Sequence, residues 1–164
     1  MATKELKVGQ KAPEFTLKNQ DESPVHLSDY RGKWVVLYFY PRDNTPGCTI
    51  EANDFTKLAK DFNTLEGTIL GVSPDSCASH VKFIKGQNLR IALLSDEEKK
   101  AARAYGVWQK KTFMGKSFMG VVRSTFLIDP EGKIAWAGYG IKADGHATAV
   151  LAKLKELQKH PVSV

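Results

Sequence analysis

The spacing of apolar and polar positions changes along the chain, and each change marks an element. Residues 13–17 (Pro-Glu-Phe-Thr-Leu) and 25–27 (Val-His-Leu) are short β-prone runs flanking a polar stretch at 19–24, which predicts a hairpin. Ser28 or Asp29 can cap a turn near Tyr30-Arg31, and Gly32 ends it. From Trp34 to Tyr40 the chain is continuously apolar and rich in β-formers, the pattern of a central strand covered on both faces. Pro41, with no N–H for the ladder, closes that strand, and a polar loop, 42–47, follows.

The period then becomes helical. Ala52, Phe55, Leu58, Ala59 and Phe62 recur at three- and four-residue spacings and predict one helix over 48–62 with a single apolar stripe. Thr45 is placed to cap it with Pro46 at the first helical position, which puts Cys48 in the first turn. A second buried strand is predicted at 68–72, and a helix opening at Ser73-Pro-Asp-Ser76 and running to about Lys85, with Val81, Phe83 and Ile84 inward. A short strand at 91–94, a helix over 96–105 stopped by Gly106, and a basic, glycine-punctuated connection at 107–120 come next. Residues 124–128 and 134–136 bracket Asp129-Pro-Glu-Gly132 as a hairpin, and a last amphipathic helix spans about 146–159, with Val150, Leu151, Leu154 and Leu157 inward. Strand–helix alternation followed by a hairpin and a helix predicts an α/β fold: a mixed central sheet with helices on both faces and an N-terminal β-hairpin.

The length of 164 residues and the absence of a repeat or linker predict a single domain over 1–164. The formal net charge of +6 comes from lysines scattered along the chain rather than from a compact basic stripe, which argues against nucleic-acid binding. The longest apolar run, 34–40, is far shorter than the roughly 20 residues needed to cross a bilayer, so no membrane role is expected. Met1 leads into polar residues with no secretory h-region, which predicts a cytoplasmic protein in a reducing compartment. Cys48 and Cys77 are the two cysteines. No structural disulfide is expected there, and their spacing is a poor zinc framework. No glycine-rich nucleotide loop, haem motif or metal spacing is present, so neither a cofactor nor a metal is expected.

Chemistry concentrates at Cys48. Unpaired N–H groups and the macrodipole at a helix N-terminus favour thiolate over thiol. The loop before it leaves the end of a buried strand, where α/β folds build their sites. Pro41, Pro46 and Gly47 stiffen that loop and let backbone approach a ligand, and the Thr45 hydroxyl can bond a peroxide or the thiolate. The ordinary alternative for Cys48 is a small buried hydrophobe. Glu51 replaces the second cysteine of a Cys-x-x-Cys motif, which disfavours dithiol oxidoreductase chemistry.

The run Tyr38-Phe-Tyr-Pro-Arg-Asp-Asn-Thr-Pro-Gly-Cys-Thr-Ile-Glu-Ala52 resembles the active-site signature of peroxiredoxins, and most closely the Q-type, bacterioferritin comigratory subfamily. The likeness continues through residues 71–76, Ser79-His80, 94–99, 104–108, Met119-Gly120, 123–129 and Gly145-His146, nearly the whole chain in order. The resemblance implies a thioredoxin-like fold and a thiol peroxidase. Cys48 would be the peroxidatic nucleophile for hydrogen peroxide or an alkyl hydroperoxide. Arg123 would stabilise the thiolate and the leaving oxygen, Thr45 and the Cys48 N–H would orient the peroxide, and Pro41 would shield the site. Taken alone, Arg123 reads as a surface salt-bridge residue, Glu51 either holds an arginine or is a solvated helix charge, and His80 and His146 read as capping or packing residues.

The match departs from the family in its second thiol. Q-type relatives carry a resolving cysteine either five residues after the peroxidatic one, here Asn53, or in the next helix, here Ile84. Two routes stay open: Cys77, two helical turns before Ile84, resolves the Cys48 sulfenic acid, or an external thioredoxin- or glutaredoxin-type thiol reduces it directly. Ala92 stands where relatives often have proline. Relatives are often monomers, which implies a monomer or weak dimer. The competing reading is a thioredoxin-like redox sensor or binding module without peroxidase turnover.

Overall fold

The computed structural model describes residues 5–159. Strands β1 (Thr16–Asn19) and β2 (Pro24–His26) form the predicted hairpin, and Leu27–Tyr30 make a turn of 3-10 helix before Gly32, whose φ is +91°. Then come β3 (Trp34–Phe39), α1 (Pro46–Lys57), α2 (Ala59–Thr64), β4 (Gly67–Ser73), α3 (Cys77–Gln87), β5 (Ala92–Ser95) and α4 (Lys100–Ala104). They are followed by β6 (Trp108–Phe113), β7 (Lys116–Val121), β8 (Ser124–Ile128), β9 (Ile134–Tyr139) and α5 (His146–Lys159). Seven strands form one mixed sheet in the order β2-β1-β5-β4-β3-β8-β9, with β5, β4 and β3 parallel and the outer pairs antiparallel.

The period-two geometry of β3 divides the core. Val35, Leu37 and Phe39 point to one face, where they pack with Phe126, Ile128 and the α4 residues Ala101 and Ala102. Val36, Tyr38 and Tyr40 point to the other, against Ala52 and Phe55 of α1, Phe62 of α2, Phe83 of α3 and Val150 and Leu154 of α5. Both faces of β3 are therefore dry, which is why its sequence reads as an unbroken apolar run. Gly71 lies opposite Tyr38 in the β3–β4 register, and a Cβ there would come within 2.8 Å of the Tyr38 ring and of Leu93. The missing side chain makes room for the tyrosine.

Three predicted elements differ from the structure. The helix expected over 48–62 starts earlier, at Pro46, and breaks at Leu58, whose φ of −96° and ψ of 4° separate α1 from α2. The helix expected over 96–105 shrinks to five residues because the Asp96 carboxylate accepts from the N–H groups of Ala101 and Ala102, and Lys99 turns left-handed at φ 59°. The connection at 107–120 is a two-stranded hairpin, β6–β7, turned by Met114 and Gly115 with φ of 51° and 77°. On α3 the buried residues are His80 and Phe83, while Val81 and Ile84 are only half-buried.

Phe55 is fully buried and stacks on Tyr38 with ring centroids 4.7 Å apart. Phe55→Ala is expected to cost about 3–5 kcal/mol in denaturant unfolding. Phe113→Ala, at a side chain 68% exposed on β6, should change stability by less than about 0.5 kcal/mol.

Candidate active site

The end of β3 and the start of α1 set the position of Cys48. Tyr40 still bonds through its N–H to the Val72 carbonyl, and Pro41 then turns the chain into the loop that reaches Thr45. Thr45 is the N-cap residue by its extended backbone (φ −84°, ψ 153°), and its carbonyl accepts from the Thr49 N–H. Its hydroxyl does not cap the helix but donates to the Arg42 carbonyl at 3.0 Å. Pro46 occupies the first helical position as expected, and Cys48 lies in the first turn, buried against the Tyr38–Phe55 side of the core.

Arg123 enters from the link between β7 and β8. Its Nη2 donates to Cys48 Sγ at 3.2 Å and its Nη1 to Glu51 Oε1 at 2.6 Å. A Cβ on Gly47 would sit 3.1 Å from Arg123 Nη2, so the glycine lets the guanidinium lie over the helix entrance. Glu51 is fully buried and paired with this arginine, not a solvated helix charge. Burial pushes its carboxyl up to about 7, against the pull of Arg123. His146, the first residue of α5, is hydrogen-bonded to Thr125 Oγ1 at 2.7 Å and edges onto Phe55. Burial, assisted by the Arg123 charge, pushes its imidazole down to about 4 and keeps it neutral at ordinary pH.

A second polar cluster anchors the loop from its other side. The buried Asp43 carboxylate accepts from Tyr40 Oη at 2.6 Å and Ser79 Oγ at 2.7 Å, and meets His80 Nδ1 at 2.7 Å. His80 Nε2 lies 2.9 Å from the Leu94 carbonyl, and the Asp43 N–H donates to Asp75 at 2.8 Å. The loop before Cys48 is thereby tied to the start of α3 and to β5. The sequence reading missed this cluster; its signal was an acidic residue in the loop and a histidine on the inner face of α3.

The structure therefore gathers Cys48, Arg123, Glu51 and Gly47, with Thr45 and Pro41 on the entering loop. Cys77 stands elsewhere. Both cysteines are free, and Cys77 lines a cleft of about 600 Å³ with Phe15, Leu17, Asp96 and Ala101. Phe15 and Ala101 belong to the core on the opposite side of the sheet from Cys48. Among the described residues no group of His, Cys, Asp and Glu is arranged to hold a metal ion, and no helix is long and apolar enough to cross a membrane.

A family model for the AhpC/TSA family matches residues 8–137. The chain belongs to this family. Its relatives are peroxiredoxins: it is 47% identical over 154 residues to peroxiredoxin Bcp of Bacillus subtilis, covering 94% of this chain and 98% of that one. It is 48% identical over 149 residues to a putative peroxiredoxin bcp of Helicobacter pylori, covering 91% and 98%. Among solved structures, the Xanthomonas campestris bacterioferritin comigratory protein superposes with a TM-score of 0.86 at 39% identity, over 92% of this chain and 98% of that chain. A cysteine variant of PrxQ from Xylella fastidiosa superposes with a TM-score of 0.90 at 37% identity, over 94% and 99%. The thioredoxin-like fold expected from the sequence is thus the fold of this peroxiredoxin, and its activity is that of a thiol peroxidase, an oxidoreductase.

His146 is held neutral in the fold, so the unfolded chain binds more protons between about pH 6.5 and pH 4, and stability falls as pH drops through that window. His146→Gln should flatten the acid limb of the stability profile by about 2 kcal/mol once solvent screening is allowed for, read by urea unfolding at pH 7 and below pH 5.

Proposed function

We propose that this peroxiredoxin reduces hydrogen peroxide and alkyl hydroperoxides through a Cys48 sulfenic acid, and that an external thiol of thioredoxin or glutaredoxin type reduces that intermediate directly. The observation that carries the reading is the 3.2 Å contact between Arg123 Nη2 and the Cys48 sulfur at the entrance of α1. The sulfur, with a guanidinium on one side and helix N–H groups on the other, is held as a nucleophile. Its lone pair attacks one peroxide oxygen; the S–O bond forms, the O–O bond breaks, and the departing oxygen leaves as an anion that takes up a proton. Arg123 stabilises the charge on both ends of that displacement. The Cys48 N–H donates to the peroxide, the Thr45 hydroxyl, which gives its own proton to the Arg42 carbonyl, accepts from it, and Pro41 screens the sulfur from water. The Xanthomonas relative is described as reducing alkyl peroxides, which supports the substrate class.

The one-cysteine route is supported by the placement of Cys77. A disulfide needs Cα atoms within roughly 7 Å. Both cysteines are free, and Cys77 opens onto the cleft lined by Phe15 and Ala101 of one core cluster, while Cys48 is buried in the other. The same reading places the protein in the reducing cytoplasm, where external thiols are abundant, as a monomer or weak dimer.

With hydrogen peroxide and excess dithiol, Cys48→Ser should abolish turnover and Arg123→Gln should lower kcat/KM by about 10²–10³. Cys77→Ser should retain wild-type turnover. Non-reducing mass spectrometry after one equivalent of peroxide should find the oxidation on Cys48 alone. An intramolecular Cys48–Cys77 link would contradict the one-cysteine route, and full turnover by Cys48→Ser would contradict the peroxidase assignment to this sulfur.

A further inference from the structure

Two acids share one cation at this site. Arg123 bonds Glu51 at 2.6 Å with one amino group and the Cys48 sulfur at 3.2 Å with the other. The Glu51 side chain is entirely buried, and its second oxygen, Oε2, has no hydrogen-bond partner among the described residues. Tyr38 Oη, buried on the adjacent strand, is the other such atom. A buried carboxylate oxygen without a donor is costly, whereas the protonated acid carries no net charge into the core. If the sulfur and the carboxyl both carried a negative charge, one guanidinium would face two anions in an apolar pocket, an arrangement that burial disfavours.

We propose that Glu51 is the charge-compensating acid of the peroxidase cycle, holding a proton while Cys48 is a thiolate and releasing it when the sulfur becomes a neutral sulfenic acid. The inference rests on the peroxidase reading above. The oxidation step is Cys48–S⁻ + ROOH + Glu51–COOH → Cys48–SOH + ROH + Glu51–COO⁻. The sulfur lone pair makes the S–O bond, the O–O pair leaves on the alkoxide, and the alkoxide gains, by net transfer, the proton that Glu51 loses. Reduction by two external thiols restores the start: Cys48–SOH + Glu51–COO⁻ + 2 R′SH → Cys48–S⁻ + Glu51–COOH + R′SSR′ + H₂O. Negative charge at Arg123 thus stays constant through the cycle. Glu51 acts on the sulfur through Arg123 and is a positioning residue here, not a group that touches the peroxide.

The groups around Glu51 agree with this role. Arg123 from the β7–β8 link favours its ionised form, and Asp54 on α1 opposes it. Tyr38 on β3 is pushed upward by burial and by the charges of Glu51 and Cys48. His146 of α5 is neutral, and Lys111 of β6 is lowered by burial and by the Arg123 charge, with Cys48 opposing. Burial raises the Glu51 carboxyl to about 7, against the charge and the hydrogen bond of Arg123.

The test is a single oxidation of the reduced wild-type protein, labelled with ¹³C-glutamate, by one equivalent of hydrogen peroxide at pH 7. Sulfenic acid is counted by dimedone trapping. Infrared difference spectra should show an isotope-shifted protonated-carboxyl band disappearing and carboxylate bands appearing in step with the trapped sulfenic acid. In weak buffer with an indicator, the wild type should take up well under one proton per peroxide, and Glu51→Gln one full proton. Sulfenic acid formed with no change in the glutamate bands, or with a full proton taken up by the wild type, would overturn the proposal. The infrared arm decides it on the wild type alone if Glu51→Gln does not fold. If no sulfenic acid is trapped, the peroxidase reading itself falls, a separate and distinguishable result.

Discussion

A single guanidinium, shared between a buried carboxyl and a sulfur, organises this molecule. Arg123 is mostly covered, and its two donor contacts, 2.6 Å to Glu51 and 3.2 Å to Cys48, fix it across the mouth of α1. Much else in the local sequence answers to that placement. Gly47 gives the guanidinium its passage, Pro46 starts the helix early enough to put Cys48 in the first turn, and Gly71 leaves room for the Tyr38 ring behind it. Burying a charge pair of this kind is costly and is weak evidence for stability. What it secures here is geometry: a guanidinium fixed 3.2 Å from the Cys48 sulfur.

The loop carrying Cys48 is clamped from both sides. On one side stands Arg123; on the other, the Asp43 cluster draws together Tyr40, Ser79 and His80 with hydrogen bonds of 2.6–2.7 Å. All four side chains belong to elements that meet at the carboxyl ends of the parallel strands β3 and β4, the place where an α/β sheet leaves room for a site. The fully satisfied network holds the loop in one geometry, and the sulfur inherits that precision.

The central strands, the helix after the loop, the β8–β9 hairpin and α5 were legible in the sequence, because burial on one or two faces imposes a period that composition reveals. Other features escaped, three of them for clear physical reasons. The β6–β7 hairpin is largely exposed, with Phe113 and Met114 facing solvent and a Met-Gly turn in place of Asn-Gly, so it carries neither alternation nor a strong turn signal. The short α4 reflects Asp96 reaching forward to the N–H groups of Ala101 and Ala102, a capping contact that propensity does not register. The burial of Glu51 depends on an arginine 72 positions away, which no local pattern contains. Cys48 and Thr45 stand out from their place at the start of the periodic helix, whereas Arg123 is singled out by the family signature alone; the structure adds that the Thr45 hydroxyl is turned to the Arg42 carbonyl.

The most direct test of the central claim is the ultraviolet absorbance of the Cys48 thiolate at neutral pH, compared between the Cys77→Ser protein and the same protein carrying Arg123→Met. A thiolate signal is expected in the first, vanishing on iodoacetamide treatment, and is expected to be largely missing in the second. An equal signal in both would show that the guanidinium does not hold the charge on this sulfur, and would contradict the account at its base.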